Sequence, residues 1–231
     1  MTDTLKSIYL RLLTLKQAYR RYFPSRKSLG HCGKNTFIEY PIFIDTPGNM
    51  HVEENVIIRS LFRGVNSPTE NIYIKKYTVI GPDCTIVTNN HRSTVTLPQF
   101  LLTVSHVNDE SADIIIEEDS WTGAKVILLP GAHLGRGSIV GAGAIISTEI
   151  PPYSVAVGRG RIIARKFDKE GIKKHEQALY KEEERMTDKE IDDLFREHLE
   201  GLRTYGCDTG FSENDIKAIN QQKKDLNFIE P

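Results

Sequence analysis

Hydrophobic and polar positions along the middle of the chain follow neither the two-residue period of a strand nor the 3.6-residue period of a helix. From Ile116 the aliphatic side chains recur every sixth residue, at Leu128, Leu134, Val140 and Ile146, with β-branched Thr122 in the remaining place of the series. Four places after each mark stand Ser120, Val126, Ala132, Ser138, Ala144 and Ile150, small or β-branched residues suited to a tight interior corner. Neither an amphipathic helix nor an ordinary strand generates this spacing. Fixed hexads belong to a parallel β-helix, where each short unit buries its aliphatic residue only by stacking on the coils above and below. The register extends back through Ile74, Ile80 and Ile86, with Thr78 and Cys84 at the corner, and more loosely through Ile38, Ile44, Val52 and Ile58.

Between Ile86 and Ile116 the register leaves room for five hexads, yet HRSTVTLPQFLLTVSHVNDESAD obeys no such rule. It is expected to be a loop, about residues 92–113, ejected from the β-helix, and loops on a rigid scaffold are where function concentrates. Upstream, residues 4–22 place Leu5, Ile8, Tyr9, Leu12, Leu13 and Leu15 at helical spacing with cations around them, and Pro24 stops the helix. This amphipathic helix is expected to pack on the body or on an oligomer; weak contact with a membrane surface is the competing reading. After Val157 the hexads stop. From Arg165 to Gly201 the chain is charged and helical, with Thr187 and Glu190 as a capping box and Gly201 as a stop, and a further helix is expected after Ser212. The terminal QQKKDLNFIEP is expected to be loosely held, its charges on a solvated face. The expected organisation is a helix within residues 1–24, a β-helix domain over 30–167 and a helical extension over 168–231.

Thirty basic against thirty-one acidic side chains leave a net charge of −1, which gives no global attraction for nucleic acid. Local patches stay open. Cys32, Cys84 and Cys207 are odd in number, far apart and without a CxxC pair, so neither a disulfide framework nor a zinc site is expected, and Cys84 is core filler. Lys6, Arg11, Lys16, Arg20 and Arg21 interrupt the first apolar run, so neither a signal peptide nor a spanning helix fits, and a soluble cytoplasmic protein is expected.

The stretch IIIEEDSWTGAKVILLPGAHLGRGSIVGAGAIISTEIPPYSVAVG carries ungapped hexads, a Trp at the end of the first and an aromatic exit. It resembles the hexapeptide-repeat acyltransferases, specifically the branch of maltose, galactoside, xenobiotic and capsular polysaccharide O-acetyltransferases, over roughly residues 38–167. The resemblance implies a mainly β fold, a left-handed parallel β-helix with three hexads per coil. It also implies a homotrimer with active sites between neighbouring prisms, acetyl-CoA as cosubstrate and no metal. Handedness and the trimer come from the resemblance, not from the period.

Members of that family carry a His where the hexads break into the loop, and His91, after Asn90, stands there. The resemblance makes His91 the general base: a hydroxyl attacking a thioester must lose a proton, and imidazole accepts one near neutral pH. Transfer is then direct, in a ternary complex, with no Ser or Cys nucleophile; the donor that holds the oxyanion is not identified. Asn90 is a candidate for orienting base or acceptor, or else a turn residue, and His106 is the reserve base. His31, His51, His133, His175 and His198 are expected to be structural or solvated, with His133 pointing outward.

For the donor, the family lays coenzyme A along the groove between prisms, and Gly123, Ala124, Gly141 and Ala142 match its small positions, with Ser147 and Thr148 on the next coil. Trp121 either walls the channel or packs at the trimer seam. After the aromatic exit the family usually reads Gly-Asn-Pro-Ala-Lys, whereas this chain has Gly158, Arg159, Gly160, Arg161 and Ile162. The departure puts the turn geometry in question but keeps Arg159 and Arg161, with Arg165 beyond, for the phosphates of the coenzyme. RKFDKEGIKKHEQALYKEEER is similar to the tail of capsular and exopolysaccharide O-acetyltransferases, so the expected acceptor is a sugar, sugar nucleotide or polysaccharide. Trp121 is the lone Trp where xenobiotic members have a Trp-rich tail. Three other readings compete: a chloramphenicol- or streptogramin-type acetyltransferase, a zinc lyase on His91, His106 and His133, whose spacing is wrong for that group, and a scaffold without catalysis.

Overall fold

The computed structural model describes residues 3–208, 210–226 and 228 of the chain. Its centre is a left-handed parallel β-helix of about six turns. The first face stacks His31–Cys32, Met50–Val52, Ile72–Ile74, Ile114–Ile116, His133–Leu134 and Glu149–Ile150. A second runs from Phe37–Ile38 through Trp121–Thr122 and Ile139–Val140 to Ser154–Val157, and the third from Phe43–Ile44 through Thr85–Val87 to Ile145–Ile146. Two or three residues per strand suffice, because each backbone amide is satisfied by the coil above or below rather than along its own segment.

The hexad marks are the core. Ile116, Thr122, Leu128, Leu134, Val140 and Ile146 are buried, and so are the corner residues Ser120, Val126, Ala132, Ser138, Ala144 and Ile150. Covering a Leu or Ile in this way contributes roughly 1.5–3 kcal/mol per side chain. Cys84 is buried as expected, its Sγ 3.2 Å from the Gly123 carbonyl, and burial pushes its thiol pKa up, away from a nucleophile. Corners demand a left-handed residue: Asn55, Tyr77, Asp119 and Gly137 have positive φ at one edge, Asp83, Lys125 and Gly143 at the next. At Gly137 the requirement is doubled, since a Cβ would stand 2.6 Å from the Tyr153 ring.

Trp121 pairs with Ile139, eighteen residues on, whereas Val79 pairs with Trp121, forty-two on; the difference is a 24-residue insertion. It leaves the edge between the third and first faces after Val87 and returns at Ala112, whose N–H donates to the Thr88 carbonyl at 3.0 Å. The helix α1 spans Asp3–Tyr22, and α2, inside the insertion, spans Gln99–Ser105.

The C-terminal extension, with α3 (Lys169–Leu179), α4 (Asp188–Leu194) and α5 (Glu213–Asp225), clamps the edge between the first and second faces. Ile172, Ile191, Phe195 and Leu199 form a second core with Tyr153. The Glu176 carboxylate, almost fully buried, accepts from Arg136, from the Tyr153 hydroxyl and from the Met186 amide. His175 and Lys166 both reach Asp119; burial opposes ionisation of that carboxyl, but the two partners outweigh it and hold its pKa below the ordinary 3.8. The capping box at Thr187 and the helix after Ser212 are present as expected, and Ser212 forms a second capping box with Asp215. The chain end is tied further than expected: Asn35 donates to the Leu226 carbonyl, and the Phe228 ring lies tilted against Tyr77, centroids 5.6 Å apart. The final part of the expected loose end, residues 229–231, lies outside the described residues, as do residues 1–2 of the first segment.

Of the packing expected for the first helix, on the body or on an oligomer, the part against the body fails. α1 does not pack on the body: Ile8, Tyr9, Leu10, Leu12, Leu13 and Leu15 are all exposed. Contact is confined to its last turn and the residues just after it, where Tyr22 meets Phe43 and Phe23 stacks on Tyr40. The first coil offers those rings and Pro41, which with Leu15, Ala18 and Tyr19 lines an open apolar cavity beneath the end of the helix.

Candidate active site

The insertion is not a formless loop. Asn89–His91 pairs antiparallel with Asp109–Ser111, setting His91 opposite Asp109, and α2 bridges the two arms with Leu102 as its buried anchor. The helix stops at His106, whose φ of 52° is left-handed and whose N–H returns to the Leu102 carbonyl. This turn brings His106 back over His91, with ring centroids 5.2 Å apart.

Both imidazoles converge on one carboxylate. Nδ1 of His91 lies 2.9 Å from Oδ1 of Asp109, and Nδ1 of His106 lies 3.1 Å from Oδ2. Hydrogen bonds from His91 first, and then from His106, hold the Asp109 pKa below the ordinary aspartate value, so it is a carboxylate at neutral pH. With Nδ1–H donated to Asp109, the Nε2 of His91 keeps its lone pair, the tautomer a general base requires. Both side chains are part-exposed, Asp109 somewhat more covered than His91. Asn90 does not orient this ring: it is exposed and sits one step along the strand, on the opposite face. Asp109 takes that part, and no motif marked it, because the pairing that brings it to His91 spans eighteen residues of irregular sequence.

Two imidazoles and a carboxylate with donor atoms within 4.8 Å of one another could also hold a divalent cation. His133 is not with them: it lies on the first face, facing outward as expected, 2.9 Å from Glu117. His175 is part-buried on Asp119, a structural contact.

The expected coenzyme residues are spread over more than one edge of the prism. Gly123, Ala124, Gly141 and Ala142 stack at the corner between the second and third faces, where a Cβ on Gly123 would come 2.6 Å from the Ala142 amide nitrogen. Glycine is thus required by the stacking alone. Trp121 stands half-exposed on the second face between Val79 and Ile139. Ser147 and Thr148 are exposed at the corner between the third and first faces, on the edge that ejects the His91 insertion. The Gly158–Gly160 departure has a local cause: both glycines have positive φ and turn the chain into an antiparallel strand, Arg161–Arg165, which pairs back on Ser154–Val157. Arg159 and Arg161 are exposed there. Arg165 instead faces the extension, its Nε 2.9 Å from the Thr204 hydroxyl and its guanidinium over Phe195.

Residues 113–148 match the family described as bacterial transferase hexapeptide (six repeats). A galactoside O-acetyltransferase of Lactococcus lactis is 28% identical over 152 residues, which is 65% of this chain and 70% of that protein. Among solved structures, a galactoside acetyltransferase in complex with coenzyme A aligns with a TM-score of 0.56 at 24% identity, covering 81% of this chain and 92% of its own. A maltose O-acetyltransferase of Clostridium difficile aligns with a TM-score of 0.56 at 24% identity, over 72% of this chain and 90% of its own. At that level of identity the two structures speak for the fold.

Proposed function

The chain belongs to the hexapeptide-repeat acyltransferases, and from that premise we propose that it is an acetyl-CoA-dependent O-acetyltransferase acting on a hydroxyl of a sugar, sugar nucleotide or surface polysaccharide. The observation that carries the reading is the hydrogen bond from His91 to Asp109 on a ribbon ejected from an otherwise closed prism. Nε2 of His91 removes the acceptor's proton as its oxygen attacks the thioester carbonyl. The tetrahedral intermediate collapses, the C–S bond breaks, and the imidazolium returns the proton to the departing thiolate. Asp109 stabilises the imidazolium between these steps, and no acyl-enzyme is formed.

A second copy of the chain is part of the proposal. The small-residue edge and the edge carrying His91 are different edges of one prism, while the third is clamped by the extension. A homotrimer sets an edge of one prism against its neighbour and closes a groove in which coenzyme A meets His91. Exposed Phe100, Leu101 and Val104 on α2 suit the neighbour's surface. Gly123, Ala124, Gly141 and Ala142 would take the pantetheine arm, Trp121 the thioester end, Ser147 and Thr148 the next coil, and Arg159 and Arg161 the phosphates. Arg165 would assist by holding the strand that carries them. The relatives named for galactoside and maltose favour a sugar hydroxyl, and the cytoplasm, where acetyl-CoA is made, is the fitting compartment.

The experiment is thiol release from acetyl-CoA with a panel of sugars, sugar nucleotides, glycan oligomers and chloramphenicol, with mass spectrometry of the products. Acetyl transfer to a glycan hydroxyl is expected. Acetylation of chloramphenicol alone would replace the reading with drug modification, and coenzyme binding without transfer to any acceptor would replace it with a scaffold.

A further inference from the structure

We propose that α1 docks the enzyme on an anionic lipid surface. The helix stands off the β-helix, held only at its last turn and just beyond. At 100° per residue, Ile8, Tyr9, Leu12, Leu15, Tyr19 and Tyr22 fall on one half of its circumference, and all six are exposed. Arg11 borders that half on one side; Lys16 and Arg20 lie towards the other. Cations placed there can lay their aliphatic stems along the apolar face and keep their charges outside it. Tyrosines with an apolar ring and a polar hydroxyl suit the boundary between headgroups and acyl chains.

Charge decides between a lipid surface and a second copy. In α1, Lys6, Arg11, Lys16, Arg20 and Arg21 stand against one acid, Asp3, although the whole chain carries a net −1. Positive charge is thus concentrated on a helix whose apolar face is uncovered. Opposite charges flanking the seam favour a bundle of identical helices, whereas copies of α1 would set cation against cation. Anionic headgroups complement both features at once, with apolar burial and charge attraction adding. Among the described residues no helix is long and apolar enough to cross a membrane, so α1 would lie in the surface. The inference stands on the helix alone and does not depend on acetyl transfer.

The test is co-sedimentation of the full chain with vesicles of phosphatidylglycerol and phosphatidylcholine, or of phosphatidylcholine alone, with sedimentation velocity in the absence of lipid. Binding to the anionic vesicles is expected, weakening in high salt. A charge-reversed variant carrying R11E, K16E, R20E and R21E should lose it by at least about tenfold, since each cation near the surface adds to the attraction. A second variant, L12S with L15S, should lose binding while its thermal melt stays close to the wild type, because both side chains are exposed. No binding to anionic vesicles, or equal binding to neutral ones, overturns the proposal. So does a drop in oligomer size for L12S/L15S without lipid, which would assign the face to a second copy of the chain.

Discussion

Two stretches of this chain sit next to each other in sequence and divide its work. From Asp113 to Ile150 the backbone returns to each face at a fixed interval, and the hexad and corner side chains are covered. From Asn89 to Ser111 it leaves the prism, pairs with itself, and buries Leu102 while Val95, Phe100 and Val104 stay exposed. Stacking commits the inward side chains of the wall to stability, which leaves them no chemistry. The insertion is released from that register, so its backbone can oppose His91 to Asp109 and set His106 on the same carboxylate.

The sharpest break in the comparison is made in the wall. Leu134→Ala removes a fully buried hexad side chain and should cost about 2–5 kcal/mol in a urea unfolding experiment. Transfer by the fraction still folded should be unchanged. In the insertion the pattern should invert: Asp109→Asn should leave stability nearly intact but slow acceptor-dependent transfer about tenfold to a hundredfold, the worth of a hydrogen bond to a charged group.

That contrast also decides what was legible beforehand. The wall could be read because Ile116, Leu128, Leu134, Val140 and Ile146 face the same physical demand in every coil, and a repeated demand leaves a period. Local caps were legible for the same reason: Thr187 and Ser212 each satisfy their own helix within three residues. The insertion could be located, and His91 picked out by the resemblance, but its partner could not. Asp109 is chosen by a strand pairing, and Asn90, beside His91 in sequence, is turned away by the two-residue alternation of that strand. α1 went astray differently. Its apolar stripe shows that something should cover it, yet a stripe does not say what, and the first coil supplies only Tyr40, Pro41 and Phe43 near its end.

A smaller effect separates the clamped edge from the insertion. The Asp119 carboxyl has a folded-state pKa below its unfolded value, so its stabilisation is complete above the ordinary 3.8 and is lost as pH falls through the lower folded value. Urea midpoints measured from pH 6 downwards should therefore fall more steeply for the wild type than for Asp119→Asn, which should already be weaker at pH 6 by about 1–3 kcal/mol. Smallest of all is Val95→Ser on the exposed arm of the insertion, which should change stability by no more than about 0.5 kcal/mol in the same assay.

The most direct measurement is a double-mutant cycle on the transfer rate, with coenzyme A binding checked for each protein: wild type, His91→Ala, Asp109→Asn and the two combined. If His91 is the base and Asp109 acts through it, His91→Ala binds the coenzyme but loses at least about a hundredfold in rate, and adding Asp109→Asn takes away nothing more. A His91→Ala enzyme that transfers at the wild-type rate, or a double variant whose losses simply multiply, would contradict the account.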